Sequence, residues 1–207
     1  DGSRTTVARA VRSLGDAGWV TDDGEGYRLT HTGSVVAEEF SSLLDTMRRT
    51  ETLSPFLRWF PADEDAPDFV RADDVEVTTS DSANPYAPAK KQAEILQEAE
   101  NLRILLPSVD PDATETIAEQ VASRNFRVET IIASELEPVF ESEPFAPLVS
   151  EMIETGRSDI LVAPTSPPFY LGLADDRLVQ IGVEDDESFP RALLETTDED
   201  VRAWAED

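Results

Sequence analysis

The 207-residue chain carries 44 Asp and Glu against 17 Lys and Arg, a formal net charge of −27, yet 40% of it is hydrophobic. That apolar share is enough to bury a core, so the acidity does not imply wholesale disorder. Cys is absent and His31 is the single histidine, which excludes disulfides, thiolate metal sites, a Cys nucleophile and multi-His metal centres. Apolar runs such as Ile160–Ala163 are too short to span a bilayer, and Asp1-Gly2-Ser3-Arg4 does not open a signal peptide.

The charge is spread along the chain and is not gathered in a tail, and no Asp-x-Asp-x-Asp-Gly loop collects it for a cation. Fifteen of the basic residues are Arg, with only Lys90 and Lys91 beside them. This pattern reads as adaptation to high salt, where screening over about 3 Å at 1 M removes most of the self-repulsion. The acidity is also uneven. Residues 1–50 hold six basic and eight acidic residues, a net of −2, whereas 51–207 hold eleven and 36, a net of −25. A near-neutral start in so acidic a chain predicts a different partner for that start.

In chain order, residues 3–14 read as a helix with Ser3 at its N-cap. Val7, Val11 and Leu14 form one apolar stripe, with Arg4, Arg9 and Arg12 on the other side. Gly15 and Gly18 end it. Trp19–Thr21 and Tyr27–Thr30 flank the turn Asp22–Gly26 and predict a hairpin. A second helix is expected over 34–49, with Val35, Val36, Phe40, Leu43, Leu44 and Met47 on its apolar face. Residues 51–60 extend it or open a new helix near Pro55, and 61–74 read as a linker. From Val75 the pattern alternates. Strands are predicted at 75–79, 102–106, 126–132 and 160–163, with helices at 88–101, 112–123, 134–141 and 144–155. A hairpin, 169–174 and 178–183, turns at Asp175-Asp176-Arg177. A strand at 191–195 and a helix at 198–205 close the chain. This is an α/β domain of about 130 residues.

A recognition helix presents an apolar stripe to its own domain and a basic, polar face to the major groove. Ser3, Arg4, Thr5, Thr6, Arg9 and Arg12 meet that requirement, and Arg28 on the hairpin is placed to reach a phosphate. The run Ser3–Leu14, then Gly18-Trp19-Val20, Gly26–Thr30 and Thr32-Gly33, resembles archaeal winged-helix transcription regulators. Asn84-Pro85-Tyr86-Ala87-Pro88, with Pro168–Leu173 and Ile181-Gly182-Val183, resembles the middle domain of the archaeal methanogenesis-regulator family. The resemblance implies a winged helix-turn-helix over 1–33, a connecting helix and linker over 34–74, and a phospholipase-D-like sensor and dimerisation domain over 75–207. It also implies double-stranded DNA as partner, a homodimer, a cytoplasmic location and a small-molecule effector. A winged helix places two helices before its recognition helix. None precedes Ser3 here, so the motif is expected to be incomplete and continued upstream.

Phospholipase-D chemistry needs a His-x-Lys pair, and His31-Thr32-Gly33 does not supply one. Hydrolysis by that mechanism is therefore excluded, and no enzymatic activity, cofactor, metal site or membrane partner is expected. Asp175-Asp176 and Asp185-Asp186 read as turn residues rather than cation ligands. Candidate effector contacts are Lys90 and Lys91 at a helix start, with Ser108, Thr165, Ser166 and Tyr170 near strand ends, where α/β sheets tend to bind ligands. Two other readings stay open: a small-molecule-binding α/β protein or enzyme whose helix and hairpin serve only in dimerisation, and a protein-interaction module.

Overall fold

The computed structural model describes residues 4–61, 66–123 and 125–207. Ser3, the expected N-cap, lies outside them. The chain divides into two compact units, Asp1–Thr50 and Glu51–Asp207.

In the first unit, α1 (Arg4–Asp16) is followed by β1 (Val20–Asp22), β2 (Tyr27–Leu29) and α2, which runs from His31 to Leu57 and so continues into the second unit. Gly18, at φ +73°, ends α1: its amide donates to the Gly15 carbonyl and the Trp19 amide to that of Leu14. These are the paired bonds of a left-handed helix stop, a backbone shape that glycine adopts without steric cost. β1 and β2 pair antiparallel, Val20 opposite Leu29. Their tip is closed locally, for Asp23 Oδ1 accepts the amides of Glu25 and Gly26.

Thr30 ties the hairpin to α2. Its Oγ1 accepts the Gly33 amide at 3.0 Å, a helix N-cap, and donates to the Gly18 carbonyl at 2.7 Å. The Thr30 amide donates to the Trp19 carbonyl at 2.9 Å. That carbonyl lies so close to Gly33 that a Cβ there would sit 1.9 Å from its oxygen. The helix expected over 34–49 is thus longer at both ends, and Pro55 falls inside it instead of opening a new one. Its end is held by Leu53 and Phe56, both buried in the second unit.

The second unit is built on a seven-stranded sheet. In chain order its elements are β3 (Glu76–Thr79), α3 (Ala87–Glu98), β4 (Asn101–Leu106), α4 (Pro111–Ser123), β5 (Arg127–Ala133), a 3-10 turn (Ser134–Leu136), α5 (Glu137–Phe140) and α6 (Phe145–Glu154). Then come β6 (Ser158–Ala163), β7 (Tyr170–Ala174), β8 (Leu178–Glu184), β9 (Pro190–Thr196) and α7 (Glu199–Glu206). The sheet order is β3-β9-β8-β7-β4-β5-β6. β4, β5 and β6 are parallel, joined through helices, and the other pairs are antiparallel.

Each face of the sheet has its own core. On one, Leu102, Ile104, Val128 and Leu193 pack with Ile95 of α3, Val121 of α4 and Met152 of α6. On the other, Leu173, Val179, Ile181 and Leu194 pack with Leu53, Phe56 and Val201. Part of the segment read as a linker belongs here too, since Phe69 and Ala72 are buried in this second core. Phe56 stacks on Phe60 at 5.2 Å between centroids and meets Phe69 edge-on at 5.5 Å. Asp198 caps α7, accepting the amides of Asp200 and Val201, and its other oxygen takes the Asp73 amide at 2.9 Å.

Candidate nucleic-acid interface and polar sites of the α/β unit

On α1 the 100° step per residue gathers Arg4, Arg12, Thr5 and Arg9 into an arc of about 140°, with Thr6 beyond its edge. All five are exposed. In a chain this acidic an Arg is expected to find a carboxylate. Yet among the described residues no ion pair is made by Arg4, Arg9 or Arg12. Arg28 is exposed on β2 with its Nε 3.9 Å from Asp23, a loose approach across the hairpin. The unit therefore offers cationic groups free to meet an anion.

The apolar stripe of α1 departs from expectation. Val7 is 56% exposed, Leu14 37%, and no residue of α1 is buried. On α2, Phe40, Leu43 and Met47 are likewise each more than half exposed. Val36, Phe40, Leu43 and Met47 follow the 4-3-4 spacing of a helix–helix seam.

In the second unit, two of the expected effector residues, Lys91 and Tyr170, are joined through the buried Gln180 and Glu195. Lys91 of α3 lies 2.9 Å from Glu94 and 3.5 Å from Glu195 Oε2. Gln180 Nε2 donates to Glu195 Oε1 at 2.9 Å, and the Tyr170 hydroxyl donates to Gln180 Oε1 at 3.5 Å. Gln180 and Glu195 face each other across β8 and β9. The hydrogen bond to Glu94, aided by the Glu195 charge, raises the Lys91 pKa. Burial pushes the Tyr170 hydroxyl well above its ordinary value. A Cβ at Gly172 would stand 2.4 Å from the Tyr170 hydroxyl, and one at Gly182 would stand 3.3 Å from the base of its side chain. Two glycines thus leave the space in which this tyrosine lies, and the network fills it.

The other candidates lie apart. Lys90 is exposed on α3, and Thr165 and Ser166 are exposed in the loop after β6. Ser108 donates to Glu184 Oε1 at 3.5 Å, and burial raises the pKa of that carboxyl. Asp175 accepts the amides of Glu100 and Asn101. Asp185 accepts those of Glu187 and Phe189 and is held by Arg191. Among the described residues no group of three or more His, Asp or Glu is arranged to hold a metal, and no helix is long and apolar enough to cross a membrane.

A second gathering of charge is not visible in the sequence. Arg103, Arg127 and Arg157 line one cleft of about 240 Å³ with Asn101, Glu129, Asp159 and Asp176, where β4, β5 and β6 begin. Each arginine lies in or beside a strand that reads as half-buried, so alternation marks it as outward. Only the parallel register reveals that the three are neighbours.

Two family models match the chain. The model of the methanogenesis regulatory protein FilR1, middle domain, matches residues 85–207. The chain belongs to this family. The model described as the HVO_A0261 N-terminal domain matches residues 1–52. A search of curated proteins by sequence finds no match. Among solved structures, TrmBL2, described as an archaeal chromatin protein with a novel mode of DNA binding, is 16% identical with a TM-score of 0.47, covering 98% of this chain and 78% of its own. NucT from Helicobacter pylori is 15% identical, TM-score 0.44, over 64% of this chain and 90% of its own. The phospholipase D family member Nuc from Salmonella typhimurium is 13% identical, TM-score 0.44, over 64% and 88%.

Proposed function

We propose that this FilR1-family protein is a non-enzymatic, sequence-specific transcription regulator of a halophilic archaeon, working in the cytoplasm. The first unit serves as the recognition helix and wing of a winged helix. The observation that carries this reading is the set of three arginines on α1 that find no carboxylate among the described residues, although acids outnumber bases by more than two to one. Arg4, Thr5, Thr6, Arg9 and Arg12 face the major groove and Arg28 a phosphate. Ser3, outside the described residues, is proposed as a further DNA contact.

The protein acts as a homodimer, so that two recognition helices meet two half-sites about one DNA turn or a multiple apart. The seam Val36, Phe40, Leu43 and Met47, exposed at its last three positions, supports helix–helix pairing between copies. An effector in the α/β unit acts by binding one dimer geometry better than another. The net of −25 over residues 51–207 repels phosphate, so affinity rests on the local charge of α1 and the hairpin.

The test is a titration of promoter DNA at molar KCl with the double variant Arg9→Ala, Arg12→Ala. Affinity falls at least tenfold, and the salt slope drops by about one for each phosphate that is no longer neutralised. Unchanged affinity removes α1 as the recognition helix and leaves the first unit as a dimerisation arm.

A further inference from the structure

The sheet face that carries Leu173 continues onto β4, where Arg103 lies opposite Leu173, and then onto β5 and β6. There it is open. Arg103, Arg127, Asp159 and Leu161 are all exposed. The register arranges this open face in rows. Asn101 lies opposite Arg127, and Arg157 joins that row, its carbonyl accepting the Val128 amide at 3.0 Å. Arg103, Glu129 and Asp159 form the second row, and Leu105, Ile131 and Leu161 the third. Same-face residues along a strand are about 6.7 Å apart. A positive row, a row ending in two carboxylates and an apolar row therefore follow one another in order.

Two of the arginines are already fixed. Arg103 is 2.7 Å from Asp176 and 3.7 Å from Glu206. Arg157 forks onto the Val121 carbonyl at 3.0 and 2.6 Å. Arg127, Glu129 and Asp159 make no ion pair or side-chain hydrogen bond among the described residues, although all three line the same cleft. Glu129 and Asp159 stand directly opposite each other, an unfavourable juxtaposition until a cation comes between them. Arg127 and Arg157 side by side call for an anion in the same way. A simple anion held by the first row would be repelled by the second, and a simple cation the reverse. One small molecule carrying both charges on adjacent groups satisfies both rows.

We propose that this cleft binds a free α-amino acid with an apolar side chain. Its carboxylate meets Arg127 and Arg157, its ammonium group meets Glu129 and Asp159, and its side chain lies on Leu105, Ile131 and Leu161. The site differs from the effector positions near Tyr170 and Ser108, since it lies where the parallel strands begin. Naming the amino acid an effector rests on the regulator reading, but its binding does not and is measured without DNA.

The experiment is calorimetric titration of the full chain at molar KCl with L-leucine, 4-methylpentanoate, 3-methylbutylamine and inorganic phosphate. Leucine binds saturably, and each analogue that lacks one charge binds at least tenfold more weakly. Arg127→Gln and Asp159→Asn each weaken leucine at least tenfold while leaving the far-UV spectrum and the DNA affinity without ligand unchanged. Absence of leucine binding overturns the proposal. So does phosphate or 4-methylpentanoate binding as well as leucine, which would make the cleft an anion site. Dissociation of a dimer by Leu161→Lys, with no leucine bound, would assign the face to a second copy and equally overturn it.

Discussion

Phe56 offers a sharp test of how the end of α2 is held. Its side chain is 0% exposed, stacked on Phe60 and edge-on to Phe69, with Leu53, Val179 and Val201 in the same core. Replacing it by Ala removes a buried ring and leaves a cavity that the strands beneath cannot fully close. Buried Phe to Ala costs about 3–5 kcal/mol, and removal of two ring pairs argues for the middle of that range or above, about 4 kcal/mol. For a unit of this size each kcal/mol lowers the melting temperature by about 2–4 °C, so a fall of about 8–16 °C is expected. Phe56→Leu keeps aliphatic burial and gives up only the ring pairing, so about 1–2 kcal/mol. The assay is thermal unfolding at molar KCl followed by tryptophan fluorescence, since Trp204 lies 6.4 Å from the Phe60 ring centroid. A fall below about 3 °C for Phe56→Ala, with cooperativity intact, would refute the claim that this ring anchors the helix.

Other elements give outcomes of their own. Asp198→Ala removes the α7 cap and the acceptor for the Asp73 amide, and unfolding free energy should drop by about 1–2 kcal/mol. The Asp73 amide, with those of Val201 and Asp200, lowers the Asp198 pKa below its ordinary 3.8. Its contribution is therefore full above that value and lost as pH falls through the lower folded one, so wild type and Asp198→Ala should converge in stability in strong acid. Gly33→Ala forces a Cβ against the Trp19 carbonyl and should speed amide exchange across β1, β2 and the first turn of α2, a change absent in Gly26→Ala, where no atom lies within 4 Å. If α2 is the seam of the proposed homodimer, Phe40→Asp with Met47→Asp halves the mass seen by sedimentation, and an unchanged mass would overturn that assignment.

The elements were legible where local chemistry is strong. Asp175-Asp176-Arg177 announces a turn, and both aspartates take the left-handed backbone that suits Asx residues, with φ of 51° and 52°. Val179, Ile181 and Val183 alternate cleanly on one face. The same alternation hid Gln180, which a half-buried strand would leave in water. Because helices cover this part of the sheet on both sides, Gln180 is buried and satisfied by Glu195 from the neighbouring strand. Phe69 and Ala72 were lost among Pro and Asp because their apolar neighbours come from far along the chain. The α1 arginines could be placed by periodicity alone, whereas Arg103, Arg127 and Arg157 are 24 and 30 residues apart in sequence and meet only through parallel pairing.

Among the described residues the hairpin is fastened at its base, where the Trp19 carbonyl takes the Thr30 amide and rests against Gly33. Its tip is secured by its own aspartates. Changes of length or sequence at Asp23–Gly26 leave these base contacts in place, whereas changes at Thr30 or Gly33 remove them. The reach of the hairpin is thereby separable from the start of α2: residues inserted at the tip lengthen the one without moving the other.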